Sequence, residues 1–297
     1  MDSRTSGAGR SDVKEFLATR RARITPQQAG LPAYGGNRRV PGLRREEVAL
    51  LAGVSVDYYV RLERGNLAGV SDSVLDAIAR ALQLDEAERS HLHDLARAAG
   101  TGPRRGTHPA RRQVRPTMLR VLHSMTGTPA FIRNGRLDIL AANTLGRALY
   151  APLFDAPERP VNTARFQFLH PDGPDFFPDW DTSVHTTVAL LRTEAGRDPY
   201  DRHLTDLIGE LVTRSEEFRT AWAKHNVRLH HTGTKRFHHP VVGDLTLDFE
   251  AMELPADPGL TLTSYSAAPG TPSADGLTLL AAWAATEPVA RTEQTAP

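Results

Sequence analysis

Between Arg45 and Gly65 the chain reads REEVALLAGVSVDYYVRLERG, and this stretch limits the fold more than any other. Val48, Leu51 and Ala52 recur at helical spacing and the pattern stops at Gly53, where a left-handed turn costs little. Glu47, Val48, Ala49 and Leu51 build a first helix, small Ala49 lets a partner approach closely, and Val54 plugs the corner. Ser55 is an N-cap type and opens a second helix that runs through Leu62 and is ended by Gly65. Tyr59 and Leu62 point back into a core, and Glu63 faces inward by period, in reach of an ion pair with Arg20 or Arg21. Val56, Asp57, Tyr58 and Arg61 are left on the outer face. This is the spacing of a helix-turn-helix.

The surroundings are helical too. Residues 1–11 are Gly/Ser/Arg-rich and read as a disordered arm, and Asp12 caps a first helix carrying Val13, Phe16 and Leu17 with a basic end at Arg20, Arg21 and Arg23. The loop from Thr25 to Leu43 holds Pro26, Pro32, Gly35, Gly36, Pro41 and Gly42, which no helix tolerates, together with Arg38 and Arg39. Ser73 opens a fourth helix and Asp85 caps a fifth. Residues 12–100 are therefore an expected all-α five-helix domain, and the Pro/Gly/Arg-rich residues 101–116 a linker.

The net charge of +1 hides a partition. Residues 1–115 hold 20 Lys and Arg against 13 Asp and Glu, a net of +7, and the remaining 16 against 22 give −6 for residues 116–297. A basic helix-turn-helix half and an acidic remainder fit a polyanion partner for the first half only. The expected partner is double-stranded DNA, read in its major groove by the second helix of the motif. Arg61 suits guanine O6 and N7, Val56 a thymine methyl, and Asp57 either cytosine N4 or the task of holding Arg61. Tyr58 rests on a base, a phosphate or a sugar. Arg38, Arg39, Arg44, Arg45, Ser55 and Arg64 fit phosphate anchoring.

The second half mixes elements. A helix from Thr117 to Met125 precedes two apolar runs, Ala130 to Arg133 and Leu137 to Ala142, and Asn134-Gly135 between them signals a hairpin. Helical patterns follow around 141–150, 162–169, 182–194, 200–214 and 216–225. Strand-like runs then cover 234–239, 245–253 and 260–267, before a last helix near 277–285. Leu245, Leu247 and Phe249 alternate with Thr246, Asp248 and Glu250, the pattern of a sheet covered on one face. The expected class is α+β, with helices packed on an antiparallel sheet over 117–287 and a disordered tail at 288–297.

The LERG ending and the two helices after it resemble the Xre-type helix-turn-helix. RRVPGLRREEVALLAGVSVDYYVRLERG at 38–65 is more specific and resembles the MmyB-like regulators, as do AANTLGRALYAPL at 141–153, NTARFQFLHP at 162–171, the Trp180 segment, SEEFRTAWAKHNV at 215–227 and HPVVGDLTLDF at 239–249. The resemblance implies a PAS-like α/β domain that holds a fatty-acid-like or other apolar ligand, on a transcription regulator acting as a homodimer. Phe131, Phe166, Trp180, Phe218 and Trp222 are then candidates to line a pocket, and Arg147 and Arg165 to meet a ligand carboxylate.

Other chemistry is disfavoured. The chain has no cysteine, which removes disulfides, thiolate metal sites and cysteine nucleophiles. The histidines His225, His230, His231, His238 and His239 lack metal-ligand spacing and are expected to be structural or on the surface. There is no GxSxG elbow, Walker sequence or dinucleotide fingerprint, so no enzyme, cofactor or metal is expected. The most apolar stretch, Leu277 to Ala285, is short of the ~18 residues a membrane span needs. A cytoplasmic, nucleoid-associated protein is the expectation.

Overall fold

A computed structural model of the chain describes residues 5–31, 40, 42–100, 113–224 and 231–286. Two compact units emerge. The first comprises 1–107, 188–212 and 218–229, and the second 108–187, 213–217 and 230–297.

The first unit opens with α1 (Thr5–Arg23), α2 (Arg45–Ala52), α3 (Val56–Glu63), α4 (Asp72–Ala81) and α5 (Glu86–Gly100). Helix α1 begins at Thr5, ahead of the expected start at Asp12, because Gly7 and Gly9 weaken a helix without forbidding it. Gly53 closes α2 at φ +67°, and Val54 donates its backbone N–H to Ala49 at 3.0 Å. Ser55 caps α3 by accepting from the Tyr58 N–H at 3.2 Å. Helix α4 starts at Asp72, one residue before the expected Ser73. Asp85 accepts from the Glu88 N–H at 2.8 Å while Glu88 accepts from the Asp85 N–H at 3.2 Å, a reciprocal box ahead of α5. Val13, Phe16, Leu17, Val48, Ala49, Tyr59, Leu62, Leu75, Ile78 and Leu92 form the core. Leu51, expected on the apolar face, lies at the surface, since the buried stripe of α2 runs through Val48, Ala49 and Ala52.

Three later helices, numbered here by their place in the chain, contribute to this unit: the second half of α11 (Trp180–Arg197), most of α12 (Arg202–Arg214) and the end of α13 (Glu216–Trp222). Arg192 of α11 is buried, lies 4.0 Å over the Trp222 ring and donates to the Trp222 carbonyl. Arg197 reaches Asp94 of α5 at 3.7 Å, and Gly196 lies so close to the His91 ring that a β-carbon there would crowd it.

The second unit contains α6 (Pro116–Ser124), β1 (Ala130–Asn134), β2 (Ile139–Ala142), α7 (Thr144–Leu149), α8 (Ala151–Asp155), α9 (Thr163–Leu169), α10 (Gly173–Phe176), β3 (Thr232–His239), β4 (Gly243–Glu253), β5 (Leu260–Ser266) and α14 (Pro272–Thr286). The five strands form one antiparallel sheet in the order β2-β1-β5-β4-β3. The expected α+β class with an antiparallel sheet holds. Each strand's period of two divides its residues between two faces. Phe131, Phe237, Leu245, Leu247, Phe249 and Tyr265 pack with Leu145, Leu149, Phe166, Phe176, Leu277 and Leu280, while Ala130, Ile132, Leu260 and Leu262 pack with Leu122 and Val114 in a second cluster. The short helices α8 and α10 were not foreseen. Each is too short to show a period, and each begins at a proline-containing turn, Pro152 and Pro174.

Buried Asn143 ties this unit together at the start of α7. Its Oδ1 accepts from the Ala130 N–H at 3.0 Å and the Gly146 N–H at 2.7 Å, and its Nδ2 donates to the carbonyls of Met125 at 2.6 Å and Thr128 at 2.7 Å. Gly146 leaves the room this needs, since a β-carbon there would collide with the Ala130 backbone. Asn143→Ala strands these buried backbone groups, so it is expected to lower stability by on the order of 3 kcal/mol in urea unfolding followed by circular dichroism.

Candidate nucleic-acid interface and apolar core

Helix α3 presents two contrasting faces. Tyr59, Leu62 and Glu63 are buried, whereas Val56, Asp57 and Arg61 are exposed. Tyr58 is half-buried, and the Arg61 guanidinium lies 4.9 Å over its ring. Asp57 makes no ion pair with Arg61 among the described residues, so stacking on Tyr58 is what steadies the arginine. The Ser55 hydroxyl caps α3 and keeps its own proton to donate outward. Arg64 is exposed at the C-terminal end of the helix. Arg44, ahead of α2, is exposed and makes a rim pair with Glu46 at 3.3 Å. Arg38 and Arg39 lie outside the described residues.

The exposed face of α3 is oriented by Glu63, which is 2% exposed. Arg21 of α1 binds it with two parallel bonds, Nε to Oε2 at 3.0 Å and Nη2 to Oε1 at 2.9 Å. Arg45 of α2 adds Nε at 3.1 Å and Nη2 at 3.0 Å, both to Oε1. The remaining Arg21 nitrogen, Nη1, donates to the Leu43 carbonyl at 2.9 Å. Arg21 is thus the inward partner of Glu63, while Arg20 pairs with Glu88 at 2.6 Å and stacks on Phe16. Arg45, expected on phosphate, gives one fork to Glu63 yet remains half exposed. Burial opposes ionisation of Glu63, but the two guanidinium groups outweigh it and hold the carboxyl below its ordinary value. Burial, followed by the Glu63 charge, pushes the Tyr59 phenol upward, so it stays protonated.

In the second unit the inward sheet face carries rings. Tyr150, which ends α7, meets Phe131 edge-on at 5.2 Å and Phe237 at 5.6 Å, and its hydroxyl bonds that of Tyr265 at 2.6 Å. Burial raises both phenols, Tyr265 to about 12. Phe166 joins through Phe176 at 5.6 Å. Of the residues expected to line a pocket, Phe131 and Phe166 therefore meet in one cluster. Trp180 packs on Phe168 at 6.1 Å. Phe218 and Trp222 do not join that cluster. They stack on each other at 5.5 Å within the first unit, because α11 and α13 bury those rings among helices. Arg147 is exposed with its guanidinium 4.6 Å over Phe154, and Arg165 is half-buried on α9.

Two family models match the chain. One, a helix-turn-helix domain, covers residues 15–92, and the other, the MmyB-like transcription regulator ligand binding domain, covers residues 114–280. The chain belongs to the MmyB-like transcription regulators. No curated protein matches it. An MmyB-like chain with these two domains is a ligand-responsive, DNA-binding regulator of transcription, and both families are regulatory. Among the described residues no helix is long and apolar enough to cross a membrane, and no three His, Asp or Glu side chains gather as metal ligands.

Buried His239 donates from Nε2 to the Ala148 carbonyl at 3.0 Å and accepts the Val241 N–H at Nδ1, and burial pushes its pKa down. It is a structural histidine, as expected, and His238 lies exposed against Asp244 at 2.6 Å. His225 and His230 lie outside the described residues. One polar residue of this face was overlooked in the sequence. Lys235 shares the inward side of β3 with Phe237 and His239, which the period of two alone could have revealed.

Glu63→Gln removes the charge that both arginines neutralise and is expected to cost roughly 3 kcal/mol or more in chemical unfolding at neutral pH. The Glu63 pKa is depressed in the folded chain, so its contribution is full above the ordinary carboxyl pKa and lost as pH falls through the folded value. The gap between the two proteins should accordingly close in unfolding curves taken at increasingly acidic pH.

Proposed function

We propose that two copies of this chain act as a homodimer that places two α3 helices in successive major grooves, about 34 Å apart, on an inverted-repeat operator. The observation that carries this reading is the outer face of α3, where Val56, Asp57 and Arg61 are uncovered on a helix that Glu63 locks from behind, within a net charge of +7 over residues 1–115. Arg61, held over Tyr58, takes a guanine edge in this reading, and Val56 takes a thymine methyl. Arg44, Ser55 and Arg64 then fasten the helix to phosphates, with the free edge of Arg45 beside them.

The second unit would take a small apolar, fatty-acid-like ligand against its aromatic sheet face and shift the dimer between geometries that match or miss the operator spacing. A coupling of about 1–3 kcal/mol is sufficient for such control. The setting is the cytoplasm, at the nucleoid.

Arg61→Ala is expected to weaken operator binding by about 1–3 kcal/mol in a mobility-shift titration and to relax base preference at one position of each half-site. Unchanged affinity overturns the recognition-helix assignment. Arg64→Ala should instead weaken all sequences alike and reduce the slope of log affinity against log salt by about one. An unchanged slope removes Arg64 from the phosphate contacts.

A further inference from the structure

The inward face of β3 carries a cation where a core would ordinarily place a hydrocarbon side chain. The Lys235 Nζ lies 4.2 Å from the Phe177 ring centroid, 5.5 Å from that of Phe237 and 5.9 Å from that of Tyr150. Its neighbour across the ladder is buried Leu247. Among the described residues the Lys235 side chain makes no hydrogen bond and no ion pair, and three aromatic rings surround its ammonium. The nearby titratable groups supply no anion. Tyr150 and Tyr265 bond each other as neutral phenols, His239 is a neutral structural histidine farther along the strand, and Arg133 adds positive charge. Burial, aided by Arg133, pushes the Lys235 ammonium down to about 7. A partly buried ammonium in that state gains more from an arriving anion than a fully exposed one does.

We propose that Lys235 is the anion anchor of the second unit, pairing its ammonium with the carboxylate of a ligand whose hydrocarbon chain lies against Tyr150, Phe177 and Phe237. The proposal rests on the apolar-ligand reading given above and adds the chemistry of its head group. One point charge within an aromatic wall suits a monoanion on an apolar body. A phosphate would ask for several donors around its oxygens. Lys235 thereby takes the role expected of Arg147 or Arg165; Arg147 is exposed with its guanidinium over Phe154.

The test compares decanoate with decanol, which match in chain length and differ in charge, by titration calorimetry on the full chain. The wild-type protein is expected to bind decanoate at least about tenfold more tightly. Lys235→Met should bring decanoate down to the level of decanol, and Lys235→Arg should keep the preference. Lys235→Met also removes an unpaired, partly buried charge, so its ligand-free melting temperature should rise, which separates loss of the anchor from loss of the fold. Equal binding of acid and alcohol by the wild type, or a preference that survives in Lys235→Met, overturns the anchor and leaves the apolar-ligand reading intact. Binding of neither probe overturns that reading and the anchor with it.

Discussion

Four polar side-chain bonds on one buried carboxylate set the geometry of the DNA-binding unit. Glu63 closes the last turn of α3, Arg21 comes from the end of α1 and Arg45 from the start of α2, so one anion joins the three helices that define the motif. Arg21 also holds the Leu43 carbonyl, fixing the chain just before α2 begins. Hydrocarbon packing among Leu17, Val48, Tyr59 and Leu62 supplies the bulk of the burial but little direction. The forked ion pairs supply direction. Without them α3 could rotate its outer residues away from a groove while leaving its apolar face covered.

Helix α11 belongs to both halves of the chain's architecture. Its first part carries Val184 and Thr187, whose hydroxyl donates to Gln167 at 2.6 Å within the second unit. Its second part carries Arg192, Gly196 and Arg197, which meet Trp222, His91 and Asp94 within the first. The family model for the ligand-binding domain spans this helix entirely. A domain boundary drawn from composition, at residues 101–116, therefore does not describe which residues pack together.

What was legible in the sequence was local. The turn at Gly53, the cap at Ser55, the inward period of Tyr59, Leu62 and Glu63, and the alternation of Leu245, Leu247 and Phe249 each depend on neighbours a few residues apart, and each appears as read. The Asn134-Gly135 signal likewise marks a real hairpin, β1 with β2. What was not legible depended on distant partners. Nothing near Phe218 and Trp222 says that they stack with each other away from Phe131 and Phe166. The choice of Arg21 over Arg20 for Glu63 needed the direction of α1, since adjacent helical residues point about 100° apart. Lys235 showed only a strand position until Phe177, 58 residues earlier in the sequence, gave its ammonium a ring to face.

In the function proposed above, α3 reads base edges from the major groove as one half of a pair. Methylation protection at guanine N7 on the bound operator tests it most directly, because N7 lies only in that groove. Two clusters of protected guanines about one helical turn apart, on one face of the duplex, are expected. Binding that leaves every guanine N7 open to methylation, in operators with guanines throughout both half-sites, would contradict it.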